Sequence, residues 1–152
     1  MEGQRSAPGS RHLGRGHERG DGINNAGVVV GGATTEARLE YGGPGTHAFL
    51  WKDSQVTDLG AFDGVDFSSA NGINNNGEVV GFAGNPNAKN PDDTMTAAFW
   101  DQNLFLTDLN GTLPSNSGWY LVSALSISDS GQITGLGISQ GQYRGFLLQP
   151  VN

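Results

Sequence analysis

The side chains able to do chemistry are few in this chain. Its histidines are His12, His17 and His47. No two are spaced as metal ligands on one strand or helix, and with no cysteine there is no thiolate site and no disulfide. His47 is the only histidine outside the N-terminal stretch, and it reads as a partly buried strand residue rather than as the base of a Ser-His-Asp system. Asp58 and Asp108 recur at equivalent places, and paired carboxylates at one site can do acid-base work. They fall in different segments, though, where each is placed to cap the turn after Leu59 or Leu109. Residues 85–93, with Asn85, Asn87, Asp92 and Asp93, are rich in the oxygen ligands Ca²⁺ prefers. They lack the glycine and bidentate Glu of an EF-hand loop and carry two prolines, so a solvated loop is the expectation. Trp51, Trp100, Trp119 and Tyr120 are of a type that stacks on sugar rings, and equally of a type that fills a core.

Stepping between these residues is a phrase the chain repeats. Gly22-Ile23-Asn24-Asn25-Ala26-Gly27-Val28-Val29-Val30-Gly31 returns as Gly72-Ile73-Asn74-Asn75-Asn76-Gly77-Glu78-Val79-Val80-Gly81. A weaker copy runs from Ser126-Ile127-Ser128-Asp129 to Gly135. Laid without gaps at an offset of 50, residues 20–60 match 70–110 at fifteen of 41 positions. That alignment sets Thr46-His47-Ala48-Phe49 over Thr96-Ala97-Ala98-Phe99, and Thr57-Asp58-Leu59 over Thr107-Asp108-Leu109. Self-similarity at this period marks a repeat architecture.

The Asn-x-x-Gly step predicts a hairpin turn. Around it fall β-branched runs at Val28–Ala33, Glu78–Ala83 and Gln132–Ile138, preceded by short strands such as Ala70–Ile73 and Leu121–Ile127. Third strands follow at Ala48–Trp51, Ala97–Trp100 and Tyr143–Leu148, and fourth strands at Val56–Leu59 and Phe105–Leu109. No apolar stripe has helical spacing, and 25 glycines in 152 residues oppose helix interiors. The expectation is an all-β protein of about three repeated four-stranded antiparallel units. The units run about 21–69, 70–120 and 121–152, the last truncated before a fourth strand. Four strands in this length is the size of one propeller blade, and three blades are fewer than a closed ring needs. An open arc or part of a larger propeller follows, stacked through Ile23, Val29, Phe49 and Leu59 and their counterparts Ile73, Val79, Phe99 and Leu109.

The net charge of −7 divides unevenly. Residues 1–20 hold four arginines against two glutamates, and read as a disordered tail. The acidic remainder is poorly suited to nucleic acid, which is held by phosphate neutralisation. No run of about 18 apolar residues exists to span a membrane, and residues 1–20 lack the apolar stretch of a signal peptide.

These phrases resemble the HAF repeat family, predicted bacterial extracellular repeat proteins named for a His-Ala-Phe triplet. His47-Ala48-Phe49 is that triplet, and Ala97-Ala98-Phe99 and Arg144-Gly145-Phe146 are degenerate forms. The resemblance covers residues 20–149. It implies a propeller-like or stacked β architecture and an extracellular location, with no established activity and no catalytic residues to carry over. The function expected is therefore a non-catalytic structural or interaction module that uses no cofactor or metal and takes a protein or glycan ligand. Its candidate binding surface is Tyr41, Trp51, Asn85, Asn87, Asp92, Asp93 and Trp100 on or beside the loops 34–46 and 84–95. Alternatives are a polysaccharide hydrolase or lyase on a propeller scaffold, and a calcium-stabilised surface repeat. The truncated third unit and the bare face at Gly22–Val30 point to self-association or further repeats.

Overall fold

A computed structural model describes residues 17–38, 44–85, 88–89 and 94–151. It is all-β, with one 3₁₀ turn at Leu109–Thr112 and no α-helix among the described residues. Three antiparallel sheets follow one another along the chain, each a meander of sequence neighbours. Sheet 1 comprises β1 (Glu18–Ile23), β2 (Val29–Arg38), β3 (Pro44–Lys52) and β4 (Gln55–Gly60). Sheet 2 comprises β5 (Ser68–Ile73), β6 (Val79–Gly84), β7 (Met95–Trp100) and β8 (Leu106–Asp108). Sheet 3 has three strands, β9 (Trp119–Ile127), β10 (Ile133–Ser139) and β11 (Gln142–Leu148). No sheet closes on itself. No helix of the described residues is long and apolar enough to cross a membrane. The tail expected over residues 1–20 ends sooner: Glu18, Arg19 and Gly20 pair with Ala33, Gly32 and Gly31. Main-chain pairing asks nothing of side chains, so composition could not reveal it. Residues 1–16 lie outside those described.

The repeated glycines have two separate reasons. Gly27, Gly77 and Gly131 adopt φ of +77°, +83° and +80°, closing the hairpin turns in a conformation that other residues resist. Gly31, Gly81 and Gly135 answer a different demand. In each sheet the first strand carries a bulge opposite this position, between Gly20 and Gly22, between Ala70 and Gly72, and between Ala124 and Ser126. The bulge drives a carbonyl inward, so a Cβ on these glycines would overlap the backbone oxygen of Arg19, Ser69 or Ser123.

Two cores lie between the three sheets. Val30, Ala48 and Leu59 of sheet 1 meet Ala70, Ile73, Val79, Ala98 and Trp100 of sheet 2. Val80, Ala97 and Leu109 on or beside sheet 2 meet Leu121, Ala124, Ile127, Ile133 and Phe146 of sheet 3. Successive strand residues point to opposite faces, so adjacent Val79 and Val80 are both fully buried, each in a different core. Burying either is worth about 1.5–3 kcal/mol. β5 packs against β1, β2 and β3, and β9 against β5, β6 and β7, so each sheet's first strand lies against the sheet before it.

The gapless alignment of β3 with β7 is corrected by one residue. Trp51 pairs with Val29, and Trp100, not Asp101, pairs with the matching Val79. His47 therefore corresponds to Thr96, and Phe49 to Ala98. Phe99 takes the place of Leu50 and packs into the opposite core, because a slip of one residue turns a strand side chain to the other face. The strand connections absorb the slip. A two-residue turn at Asp53-Ser54 joins β3 to β4, whereas Asp101 to Phe105 join β7 to β8. Ile23, expected in the stack, is 67% exposed, against 9% for Ile73 and 8% for Ile127.

A ladder of side-chain amides crosses from sheet to sheet at the turns. Asn24 Oδ1 accepts from the Ala26 and Val28 amides of its own turn, while its Nδ2 donates to the Asn74 carbonyl (3.1 Å). Asn74 does the same one sheet on: Oδ1 accepts from Asn76 and Glu78, and Nδ2 donates to the Ser128 carbonyl (2.9 Å) and to Glu78. Beside it, the Asn25 amide donates to Asn75 Oδ1 and the Asn75 amide to Asp129 Oδ1, each at 2.8 Å. Asn75, through its backbone amide first and then its side chain, holds the Asp129 carboxyl below its ordinary pKa.

Two substitutions separate these constraints. Gly81→Ala should cost about 3 kcal/mol through overpacking, while Gly111→Ala, with open space around it, should leave denaturant midpoints unchanged. Asn74→Ala should cost about 1–3 kcal/mol, since it leaves two part-buried turn amides and a carbonyl without their partner, and urea titration measures it.

Candidate functional site

The described residues bring one group of titratable side chains together, around His47. β3 carries His47 and its neighbour β4 carries Asp58, where pairing shifts between Ala48–Gly60 and Phe49–Asp58. Asp66 comes from the connection between sheets 1 and 2, which a parallel bridge from Thr46 to Phe67 holds against β3. Gly45 makes room, for a Cβ there would crowd Asp66 Oδ2 and Thr35 Oγ1. His47 Nδ1 lies 2.9 Å from both Asp58 oxygens, and Nε2 is hydrogen-bonded to Asp66 Oδ1. Asp66 Oδ2 and the Thr35 hydroxyl are buried without partners among the described residues.

The His47 side chain is only 16% exposed. Burial alone would lower its pKa, but the hydrogen bonds and charges of Asp58, then Asp66, outweigh burial and raise it above the ordinary value of 6.5. The favoured form is thus an imidazolium donating from both nitrogens. Such a ring has no free lone pair with which to take a proton. The nearby Ser68 hydroxyl is engaged as well, donating to the Gly60 carbonyl and accepting from the Ala48 amide. The group is a staple joining β3, β4 and the connection to sheet 2.

Sheet 2 repeats the arrangement without the imidazole. Thr96, in His47's place, donates to Asp108 Oδ1 at 2.6 Å. Asp108 Oδ1 also caps the Asn110 amide, as Asp58 Oδ1 caps that of Gly60. Asn110 then reaches sheet 3, donating to the Leu121 carbonyl and accepting from its amide. Turn capping is therefore what the two carboxylates share. They stand on different sheets with separate partners and do not form one acid-base pair. Glu78 is bonded to Asn74 instead.

Of the expected binding surface, Tyr41, Asn87, Asp92 and Asp93 lie outside the described residues. Trp100 is fully buried, its Nε1 donating to the Leu59 carbonyl at 2.9 Å, so its ring belongs to the core and not to a ligand. Trp51 is half-buried. Asn85 donates to the Tyr120 hydroxyl, which donates to the Met95 carbonyl. No group of three or more His, Asp or Glu fit to hold a metal occurs among the described residues.

Sequence reasoning missed Asp66, which no local spacing ties to His47. It also took a Gly-x-Ser-x-Gly motif to be absent, whereas Gly137-Ile138-Ser139-Gln140-Gly141 has the letters of that nucleophile elbow. Here it is the tight turn between β10 and β11, with Gln140 and Gly141 at positive φ and Ser139 paired with Gln142 and Trp119. An elbow needs a strand-to-helix turn, and none exists here. No family model, curated protein or solved structure matches the chain.

The raised His47 pKa makes the staple's contribution fully present below the unfolded value and lost as pH rises through the folded one. His47→Gln should therefore lower Tm most in acid, and the gap from the parent should close as pH rises through the raised folded pKa. Thermal melts across that range measure it. A gap independent of pH would remove the imidazolium staple.

Proposed function

We propose that the chain is a non-catalytic repeat module with a structural or interaction role, taking a protein or glycan ligand. One observation carries the reading: the polar residues the repeat keeps are consumed in holding its sheets together. Asn24 and Asn74 bridge turns, Asp58 and Asp108 cap them, and His47 is held at both ring nitrogens. A catalytic set would need a free nucleophile beside its base, and the hydroxyl beside His47, that of Ser68, is engaged as both donor and acceptor. The sheets are read as blades of an open arc: the first strands β1, β5 and β9 pack one against the next, as inner strands of a propeller do. The resemblance to HAF repeats supports an extracellular setting.

Loops on one face of a repeat stack are the usual binding surface. Glycan and protein arrays probed with the full chain test the reading. Specific retention of one ligand class at micromolar concentration is expected. Turnover of a polysaccharide panel, abolished by His47→Gln, would overturn it in favour of a hydrolase or lyase.

A further inference from the structure

The two ends of the stack are not equivalent. Along the ladder sheets 1 and 2 each donate forward, so a sheet's receiving face differs from its donating face. The receiving faces of sheets 2 and 3 are covered by the sheet before them. On sheet 1 the same face carries Ile23, Val29 and Trp51, where sheet 2 carries the buried Ile73, Val79 and Trp100. Ile23 is the most exposed of the three equivalent isoleucines, and Val29 and Trp51 are half-buried. Trp51 Nε1 is buried with no partner among the described residues, whereas its counterpart Trp100 donates to the Leu59 carbonyl at the fourth strand of the preceding sheet. Asn25 Oδ1, in the place of the acceptors Asn75 Oδ1 and Asp129 Oδ1, has none either among these residues.

Sheet 3 cannot supply what this face lacks. Ser128 stands where Asn24 and Asn74 present a donating amide, and its hydroxyl is turned to the Gln132 amide and to Ser130. Thr134 stands exposed where Val30 and Val80 are buried. Among the described residues sheet 3 has no fourth strand, the element that in sheet 1 supplies the Leu59 carbonyl Trp100 uses. Leu125, Leu136 and Leu147 are exposed on sheet 3, but they offer no ladder donor. A second copy of this chain docking by its own end would leave Trp51 Nε1 unmet and bring the Asn24 carbonyl no donor beyond the Gly27 amide of its own turn.

We infer that the Ile23–Val29–Trp51 face of sheet 1 receives a complete four-stranded sheet of the same kind, preceding it in tandem, with Asn at the first turn position and Val at the Val30 position. This deepens the repeat reading of the fold and is independent of the ligand-binding role, which rests on the arrays alone. The experiment adds a second copy of residues 68–117 ahead of the full chain. The expected result is a Tm rise of at least roughly 5 °C and slowed hydrogen exchange at the Ile23 amide. The same addition carrying Asn74→Ser and Val80→Thr in the added copy should lose at least about half that gain. Ile23→Asp should leave the Tm of the unextended chain nearly unchanged and cancel the gain in the extended one. Equal gains from both added copies, or no protection at Ile23, would overturn the inference. So would a concentration-dependent dimer of the unextended chain that protects Ile23, because the occupant would then be a second copy.

Discussion

Everything in this fold hangs on one side chain doing two jobs at once. A carboxamide is the smallest group that accepts and donates from the same planar end. At Asn74 the oxygen faces back into its own hairpin turn and the nitrogen faces the next sheet. Asp would keep the oxygen and lose the donor, while Ser is too short to face both ways. Because the side chain is 3% exposed, its bonds are made where an unmet amide or carbonyl is expensive. The turn that sets strand register is thereby the same turn that sets the spacing between sheets.

The other recurrent groups extend that economy. The carboxylate after each Thr caps a turn in both four-stranded sheets, and only its partner changes, His47 in one and Thr96 in the other. In the first sheet Ser68 and Asp66 carry the connection onward, and in the second Asn110 does. The same geometric need is met by different side chains because what must be satisfied is main-chain hydrogen bonding, which is indifferent to the donor's identity.

Much of this was legible beforehand, and the failures are instructive. The hairpin turns, the glycines at positive φ and the strand runs were readable because local chemistry sets them. The burial of Trp100 was not, since a tryptophan on a strand looks alike whether its face is covered or open. The offset of 50 between Phe49 and Phe99 is also deceptive. One residue fewer before β7 and one more after it keep the count while turning Phe99 to the other face. Asp66 was invisible for another reason: it reaches His47 only through the path of a connection, and such paths are tertiary.

The meander topology bears on how the molecule comes into being. Within each sheet every strand pairs only with its sequence neighbours, so the contacts that define a sheet are short-range and need no distant segment. As the polypeptide leaves the ribosome, sheet 1 can assemble before sheet 2 exists, and each later sheet meets a finished template rather than a search problem. The middle sheet, packed on both sides, is then the last to loosen and the outer two are the first. Vectorial growth and fraying from the ends are thus two expressions of the same local pairing.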